Sequence, residues 1–409
     1  MAGRTTPPAR AWSIMDPMTS SPQLAEQIKR QAHALGFELA GIAAPEPSPV
    51  ATAAYQSWLA AGHHEPMAYM ARPDRVTRAL DPAAILPQVR SVLAVGKNYF
   101  TGHLPPELKD DPSRGLFASY AWGADYHQVL TARLERLRAQ LAEDLGRAVG
   151  ARVYVDTGPM LERDLAERAG LGFIGRNSML IHPRWGSWLF LGEILLDLDL
   201  PPDEPDRAGT CGRCTRCLTA CPTDAFPAPY VLDARRCIST LTIEMKGPMP
   251  TALRPLIGNR VFGCDICNEV CPYNQRFARP SDDPDLTPDP NRVAPPLLDL
   301  IALDEAGFAA RFGGSAVTRT RRRGLLRNVC VALGNWGSPQ ALPALRKALA
   351  DEEPLIRGHA AWALGCVTEV AARVALDAAL PHEPDPWVRR EIAAALEGGT
   401  APVVVPSLG

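Results

Sequence analysis

The chain has 409 residues, enough for two or three domains, and its 46% hydrophobic and 22% charged residues are ordinary values for a globular protein. The formal net charge of −2 excludes a uniformly basic nucleic-acid binder, although it is compatible with a local basic patch. No run of about 18 apolar residues occurs, and no apolar stretch follows the arginines of residues 1–20. We therefore expect neither a membrane-spanning helix nor a secretory signal.

We interpret residues 1–20 as a disordered tail, in which Met15 or Met18 could be the true start. Residues 21–200 then alternate predicted helices, over 22–35, 51–61 and 125–145, with predicted strands, over 91–95, 152–155 and 188–196. Ser21 and Pro22 suit the start of the first helix, and Gly36 suits its end. Helices mixed with strands over this length predict an α/β or α+β domain.

Proline-rich stretches separate the later parts of the chain. One stretch begins at Pro201 and precedes a cysteine-rich segment, and another runs from Pro280 to Pro296. We therefore expect a domain over 201–280 and a linker followed by a further domain over 281–409.

The C-terminal part contains an internal repeat. Residues 354–357 followed by 360–364 recur as 386–389 followed by 392–396, a period near 32 residues. Paired helices at this period predict a short α-solenoid of the HEAT type. The alternative is a generic bundle of alanine-rich helices.

Ten cysteines without an export signal argue against disulfides, and their clustering indicates a metal site. The first group has the spacing C-x2-C-x2-C-x3-C-P that is typical of bacterial-type ferredoxins, whose fourth cysteine binds the other of two clusters. The second group keeps C-x2-C-x3-C-P, and Cys237 supplies the cysteine that it lacks. Crossing the chain in ferredoxin fashion predicts two [4Fe–4S] clusters, one held by Cys211, Cys214, Cys217 and Cys271 and the other by Cys221, Cys237, Cys264 and Cys267.

Zinc is the alternative, but structural zinc sites use pairs of C-x2-C knuckles, and four cysteines within eleven residues suit cubane clusters better. Cys330 and Cys366 lie on the repeat helices, and we expect them to be core residues. Clusters carry electrons only, so they need a partner that performs the chemistry.

Asp156 follows the strand predicted over 152–155 and precedes the glycine turn at Gly158. A carboxylate at a strand end is well placed for catalysis or for binding a cofactor. The alternative is that Asp156 merely caps the following helix. The glycines at 170, 172 and 175 do not form a phosphate-binding loop.

The sequence resembles the epoxyqueuosine reductase family over nearly the whole chain from about residue 20. The cysteine groups and the helical repeat contribute to the resemblance. So do short motifs around Asp156: Tyr154-Val155-Asp156-Thr157-Gly158-Pro159, Leu161-Glu162-Arg163, Ala169-Gly170-Leu171-Gly172, Asn177-Ser178, Gly186-Ser187-Trp188, Leu191-Gly192-Glu193 and Asp233-Ala234-Arg235-Arg236-Cys237.

The resemblance implies an α+β protein with an N-terminal α/β cobalamin-binding catalytic domain, a bacterial ferredoxin-like two-cluster domain and a C-terminal HEAT-like helical repeat. It implies reduction of epoxyqueuosine to queuosine at the wobble position of transfer RNA, the last step of queuosine biosynthesis. Electrons would pass from the clusters to cobalamin, with Asp156 as the proton donor. We expect burial above a corrin ring to raise the pKa of Asp156.

The cofactor contacts that the resemblance suggests are Arg78, Asp156, Asn177, Ser178 and Ser239. Asp125-Tyr126-His127 begins like the corrinoid signature D-x-H-x-x-G, but Leu130 stands where the glycine belongs. A lower axial histidine is therefore not expected.

Five arginines without an acidic residue lie within residues 319–327, at the entrance to the repeat: Arg319, Arg321, Arg322, Arg323 and Arg327. A charge run is usually a solvated face, but phosphate contacts of this kind give affinity for nucleic acid. We expect this patch to bind the anticodon loop of the transfer RNA, from which the base must splay out to reach a buried cofactor.

Three other functions fit parts of the sequence. They are a corrinoid-dependent reductive dehalogenase acting on a small molecule, an electron-transfer subunit, and a scaffold with structural clusters. The absent export signal and the repeat argue against the first, and the domain of about 200 residues before the cysteines is too large for the second. We expect a cytoplasmic monomer, and the sequence does not identify its electron donor.

Overall fold

The computed structural model describes residues 21–206 and 208–398, so the tail expected over 1–20 lies outside the described residues. None of the helices in this part of the chain is both long enough and apolar enough to cross a lipid bilayer.

A four-stranded antiparallel sheet forms the centre of the N-terminal part. Its strands are β1 (Leu39–Ala43), β2 (Ser91–Asn98), β4 (Ala151–Tyr154) and β7 (Leu189–Leu196), in the order β1-β2-β7-β4. The three predicted strands are confirmed as β2, β4 and β7. The short edge strand β1 was not predicted, because five residues after a glycine turn carry little periodic signal.

Helices cover both faces of the sheet, which explains why every residue of β2 is buried and why residues 92–95 are all apolar. The helices of this part are α1 (Ser21–Ala34), α2 (Pro49–Ala60), α3 (Pro73–Leu80), α4 (Pro106–Lys109), α5 (Tyr126–Asp144) and α6 (Glu162–Arg168). Four leucines of α5 at helical spacing, Leu130, Leu134, Leu137 and Leu141, are fully buried. Burial of one such side chain stabilises the fold by about 1.5–3 kcal/mol.

Short elements connect the sheet to the cysteine-rich segment. The remaining strands are β3 (Leu116–Phe117), β5 (Phe173–Ile174), β6 (Leu180–Ile181) and β8 (Arg260–Phe262), and β8 pairs parallel with β3. The helices of the cysteine-rich segment are α7 (Arg216–Thr219), α8 (Ile238–Ile243), α9 (Ile266–Glu269) and α10 (Pro272–Phe277).

The predicted helical repeat is confirmed. Its elements are α11 (Leu297–Ile301), α12 (Glu305–Phe312), α13 (Arg321–Trp336), α14 (Leu342–Ala348), α15 (Pro354–Cys366), α16 (Val370–Ala379) and α17 (Pro386–Leu396). Helix α15 packs between α13 and α17. The stacking is close at Gly334, where an added Cβ would lie 2.5 Å from the Trp362 ring. Cys330 and Cys366 are buried core residues, as expected.

One hydrophobic core runs through all three parts of the chain, from Leu24 on α1 to Ala395 on α17. The boundaries expected near residues 200 and 280 therefore stay predictions. The continuity matters for function, because residues from all three parts meet at one cavity.

Candidate functional site

A cavity of about 1110 Å³ lies where the sheet, α3, α8 and the approach to α13 meet. This volume exceeds that of ordinary small-molecule sites, which are about 300–1,000 Å³. The lining combines aromatic and aliphatic side chains with charged ones: Tyr69, Arg75, Arg78, Tyr99, Tyr120, Asp125, Tyr126, His127, Asp156, Glu162, Arg163, Met179, Leu180, Leu189, Leu191, Ser239, Thr240, Glu244, Thr318 and Arg319 are among them.

Asp156 stands at this cavity, two residues after the end of β4. Its backbone has a φ of 59°, in the left-handed region, where a residue with a side chain costs roughly 1–2 kcal/mol. The Tyr126 hydroxyl donates to its carboxylate at 2.7 Å, and His127 Nε2 lies 3.4 Å away. Its side chain is 60% exposed, and that exposure faces the cavity. A strained polar residue held at a cavity is the pattern expected of a functional site.

His127 is held on both ring nitrogens. Its Nδ1 lies 2.7 Å from the carboxylate of Asp125, which also caps α5, and its Nε2 faces Asp156. Burial lowers the pKa of His127, but hydrogen bonds to Asp125 and Asp156 outweigh it and raise that pKa to about 9. The imidazole is therefore a cation at neutral pH. Each ring nitrogen of His127 faces a carboxylate, and the absence of an axial histidine stays a prediction.

The raised pKa expected for Asp156 is wrong for this arrangement. Burial raises the pKa of Asp156, but the hydrogen bonds from His127 and Tyr126 lower it by more, so that the net direction is downward. At neutral pH the proton therefore resides on His127 and not on the Asp156 carboxylate. Sequence reasoning missed His127 and Tyr126 as site residues, although the D-x-H pattern pointed at them.

Two further carboxyls lie next to Asp156. Glu193 of β7 pairs with Tyr154 of β4, is fully buried, and neither of its oxygens accepts a hydrogen bond from any group in the described residues. Burial and the charges of Glu162 and Asp156 raise its pKa well above the ordinary value. Burial and the Asp156 charge also raise the pKa of Glu162 to about 8. Both carboxyls therefore bind protons more tightly than ordinary glutamates do.

The eight cysteines expected to hold clusters fall into two groups in the structure. Cys217 interacts electrostatically with Cys211, Cys214 and Cys271, although Cys271 lies in the other sequence motif. We call these four the outer thiol group. In the same way Cys237 interacts with Cys221 and Cys264, and Cys267 with Cys237 and Cys264. These four form the inner thiol group, so the structure brings the thiols together in the crossed arrangement.

Backbone hydrogen bonds favour the anionic form of two of these thiols, whereas burial disfavours it at others. The backbone N–H groups of Arg176 and Ala225 donate to Cys211 and Cys221 at 3.4 Å, and such bonds are a common feature of iron–sulfur sites. Burial raises the pKa of Cys217 to about 11 and that of Cys264 to about 12, so metal binding must displace these protons. Within 21–206 and 208–398, no three His, Cys, Asp or Glu side chains are placed around a single ion. A cubane does not need such a site for a single ion, because each of its four thiolates binds a different iron.

Some of the residues expected to contact the cofactor line the cavity, and others lie outside it. Arg78, Asp156 and Ser239 line the cavity, whereas Asn177 and Ser178 do not. Asn177 is buried, and its amide faces the carbonyl of Cys267 at 3.5 Å, while the Ser178 hydroxyl donates to the carbonyl of Tyr230. Met179, the next residue, does line the cavity, and a cofactor contact by Asn177 or Ser178 stays a prediction.

The arginine patch is also smaller than expected. Arg327 is fully buried and donates to the carbonyls of residues 241, 245 and 247, so it joins α13 to α8 and cannot contact RNA. Arg322 is 14% exposed and paired with Asp351 at 2.5 Å. Arg319 lines the cavity and pairs with Glu244. Arg323 is half-buried and lies 4.0 Å from Glu353, and Arg321 is exposed. The run of arginines in the sequence does not show which of them are buried between helices and which are exposed to solvent.

Comparison with known proteins identifies three matched segments. Residues 79–157 match the family model "Epoxyqueuosine reductase QueG, DUF1730", residues 210–274 match the 4Fe-4S double cluster binding domain, and residues 317–397 match HEAT repeats. All eight cysteines of the inner and outer thiol groups lie within the second segment.

Similar proteins match over most of the chain. Epoxyqueuosine reductase of Salmonella typhimurium is 41% identical over 91% of this chain and 96% of its own length, and that of Escherichia coli is 38% identical over 85% and 93%. A crystal structure of epoxyqueuosine reductase with an epoxyqueuosine-modified tRNA-Tyr stem loop has a TM-score of 0.86 at 32% identity, covering 93% of this chain and 99% of that one. The enzyme from Streptococcus thermophilus has a TM-score of 0.80 at 28% identity, with 91% and 98% covered.

Proposed function

Since the chain belongs to the epoxyqueuosine reductase family, we propose that it reduces the epoxide of epoxyqueuosine in transfer RNA and so forms queuosine. The observation that carries this function is the position of Asp156. Its carboxylate faces a large cavity, held by Tyr126 and His127, and the inner thiol group lies behind the cavity wall at Ser239 and Tyr99. Opening an epoxide to an alkene consumes two electrons and two protons and releases water, so it needs both an electron path and acids.

Cobalamin fits this cavity, and it would be the group that receives the electrons. The volume of the cavity suits a large cofactor, and Tyr120, Leu189 and Leu191 offer apolar contact to a corrin ring. Arg78 and Ser239 would hold its polar side chains. When bound, cobalamin would supply reducing electrons to the C–O bond of the epoxide. The two thiol groups would hold the [4Fe–4S] clusters that deliver those electrons.

The side chains around Asp156 supply the acid. His127 carries a proton at neutral pH and hands it to the leaving oxygen through Asp156, and Asp125 keeps the imidazole oriented. The Tyr126 hydroxyl donates to Oδ2 of Asp156, the same carboxylate oxygen that His127 Nε2 faces. Glu162 lines the same cavity with its pKa raised to about 8, and it would supply the second proton of the reaction. General acid catalysis of this kind contributes about 10²–10⁴-fold to rate.

Conversion of the modified base tests the function directly. Protein reconstituted anaerobically with iron, sulfide and cobalamin should convert epoxyqueuosine-containing transfer RNA to queuosine-containing RNA under a chemical reductant, measured by mass spectrometry of digested nucleosides. Preparations without cobalamin should show no conversion. The dehalogenase alternative is not favoured, because the relatives that match over most of the chain are epoxyqueuosine reductases. A transfer RNA substrate also fits the expected cytoplasmic location, and the expected monomer stays a prediction.

The rate should fall at alkaline pH because of His127. Its raised pKa, about 9, means that it is protonated below pH 9 and loses its proton as the pH rises through that value. We expect kcat/KM to decline above about pH 9, and His127→Gln to lower the rate at neutral pH by about 10²-fold and to remove this decline. These expectations are checked by measuring kcat/KM against pH for the wild type and the variant with saturating reductant. An unchanged alkaline decline in the variant would assign it to another group.

Arg321 and Arg323, at the start of α13, should bind the RNA backbone. Replacing Arg321 and Arg323 by Ala should weaken transfer RNA binding by roughly 10-fold and reduce the slope of log affinity against log salt by about 1–2, since each contact neutralises one phosphate. Filter binding over a salt series measures both quantities. Arg346→Ala, an exposed arginine on α14, is the matched control. Equal affinities for the two variants would exclude this surface from the RNA site.

A further inference from the structure

The two thiol groups lie in series between the protein surface and the cavity. The inner thiol group contacts the cavity wall, because Cys237 directly precedes α8, whose Ser239 and Thr240 line the cavity. Cys267 interacts electrostatically with Tyr99, another lining residue, and on its other side with Cys217 of the outer thiol group. Electrons that arrive from outside the protein therefore enter at the outer group.

Arginines surround the outer thiol group. Arg213 and Arg216 lie between its cysteines and are exposed, and Arg276 is exposed on α10, five residues after Cys271. Arg176 donates to the carbonyl of Gly212 at 2.8 Å. We name Arg176, Arg213, Arg216 and Arg276 the entry arginines.

The charge of the entry arginines is not neutralised locally. Residues 208–223 and 270–281 contain no aspartate or glutamate. Within the described part of the chain none of the four makes an ion pair, whereas Arg319, Arg322 and Arg357 do. Glu269, the acidic residue just before the second stretch, is paired with Lys109 at 2.8 Å. A chain of net charge −2 thus presents a cationic surface where electrons must enter.

We propose that the entry arginines form the docking surface for an acidic one-electron carrier protein, which delivers electrons to the outer cluster. This inference depends on the proposed function, because it requires the clusters. Exposed guanidinium groups match carboxylates on a partner and accelerate its association by long-range attraction. Transfer RNA is the other polyanion to consider. Its base must enter the cavity, however, and the exposed arginines that line the cavity include Arg72, Arg78 and Arg319 but none of the entry arginines.

Charge reversal tests the proposal. The variant is Arg213→Glu with Arg216→Glu, and the matched control is Arg30→Glu with Arg136→Glu on α1 and α5, which reverses the same number of exposed arginines away from the cysteines. Stopped-flow spectroscopy follows reduction of the reconstituted clusters by reduced flavodoxin, an acidic carrier, and by photoreduced deazariboflavin, a small uncharged reductant. Iron content is measured on every preparation, and filter binding measures transfer RNA affinity.

The reversal should slow reduction by flavodoxin at low salt at least 10-fold and flatten its dependence on ionic strength, since electrostatic steering changes association rates by about 10–10³-fold. Reduction by deazariboflavin, RNA affinity and the control variant should stay within about 1.5-fold of the wild type. Arg276 does not lie between cluster cysteines, so Arg276→Glu tests the surface even if the double variant assembles its clusters poorly. It should slow reduction of the clusters by flavodoxin about 3-fold.

Unchanged rates with flavodoxin in both variants would overturn the inference. So would a loss of transfer RNA affinity with flavodoxin rates preserved, which would assign the surface to RNA. Failure of deazariboflavin to reduce the wild-type protein would show that the clusters are absent, and that result would overturn the proposed function together with this inference.

Discussion

Asp156→Asn is expected to lower turnover of epoxyqueuosine-containing transfer RNA by about 10²–10⁴-fold, the range that a general acid contributes. The amide has nearly the shape of the carboxylate and still accepts the hydrogen bond from Tyr126. It cannot pass a proton from His127 to the leaving oxygen, and it removes the charge that raises the pKa of His127. The defect is therefore chemical and not structural.

Single-turnover measurements with pre-reduced protein separate this effect from electron delivery. Iron, sulfide and corrin content should equal those of the wild type, as should transfer RNA affinity. Asp377→Asn, an exposed aspartate on α16, is the matched control and should keep full activity. If Asp156→Asn retained a third of the wild-type rate, the proton would have to come from Glu162 or from solvent, and the role of Asp156 would be wrong.

Features encoded by local spacing were predictable from the sequence. The cysteine motifs place their thiols within a few residues of each other, so the two groups followed from counting. Helix α5 was predicted from its leucines at helical spacing, and strand β2 was predicted from the apolar run at residues 91–95. Asp156 stood out because a strand end and a glycine turn meet there in the sequence.

Features that depend on packing between distant segments were not predictable. The pKa of Asp156 is set by Tyr126 and His127, about 30 residues earlier, so the expected direction was wrong. Glu193 lies next to Asp156 because of the β4–β7 register, which no motif encodes. From the sequence Arg327 is expected to be a surface charge, and only the packing of α13 against α8 places it on the carbonyls of Leu241 and Met245. These errors share one cause, since the environment of a polar group is a tertiary property.

The crossed arrangement of the thiols makes a prediction that iron analysis can decide. If Cys217 and Cys271 bind the same cluster, replacing both by Ala should destroy one cluster and leave the other, so that about four of eight irons remain. Replacing Cys267 and Cys271 removes one ligand from each cluster and should leave fewer than four. Turnover should be abolished in both variants, because electrons pass through the two clusters in series.

An uncrossed arrangement, in which each sequence motif holds its own cluster, reverses the two results. Cys267 and Cys271 would then share a cluster and their double variant would keep about four irons, while the variant of Cys217 and Cys271 would lose more. Cys330→Ala should keep all eight, because Cys330 is a buried core residue of α13. The electrostatic contact of Cys217 with Cys271 favours the crossed result, since in a ferredoxin-type chain the last cysteine of each motif turns away from its own cluster.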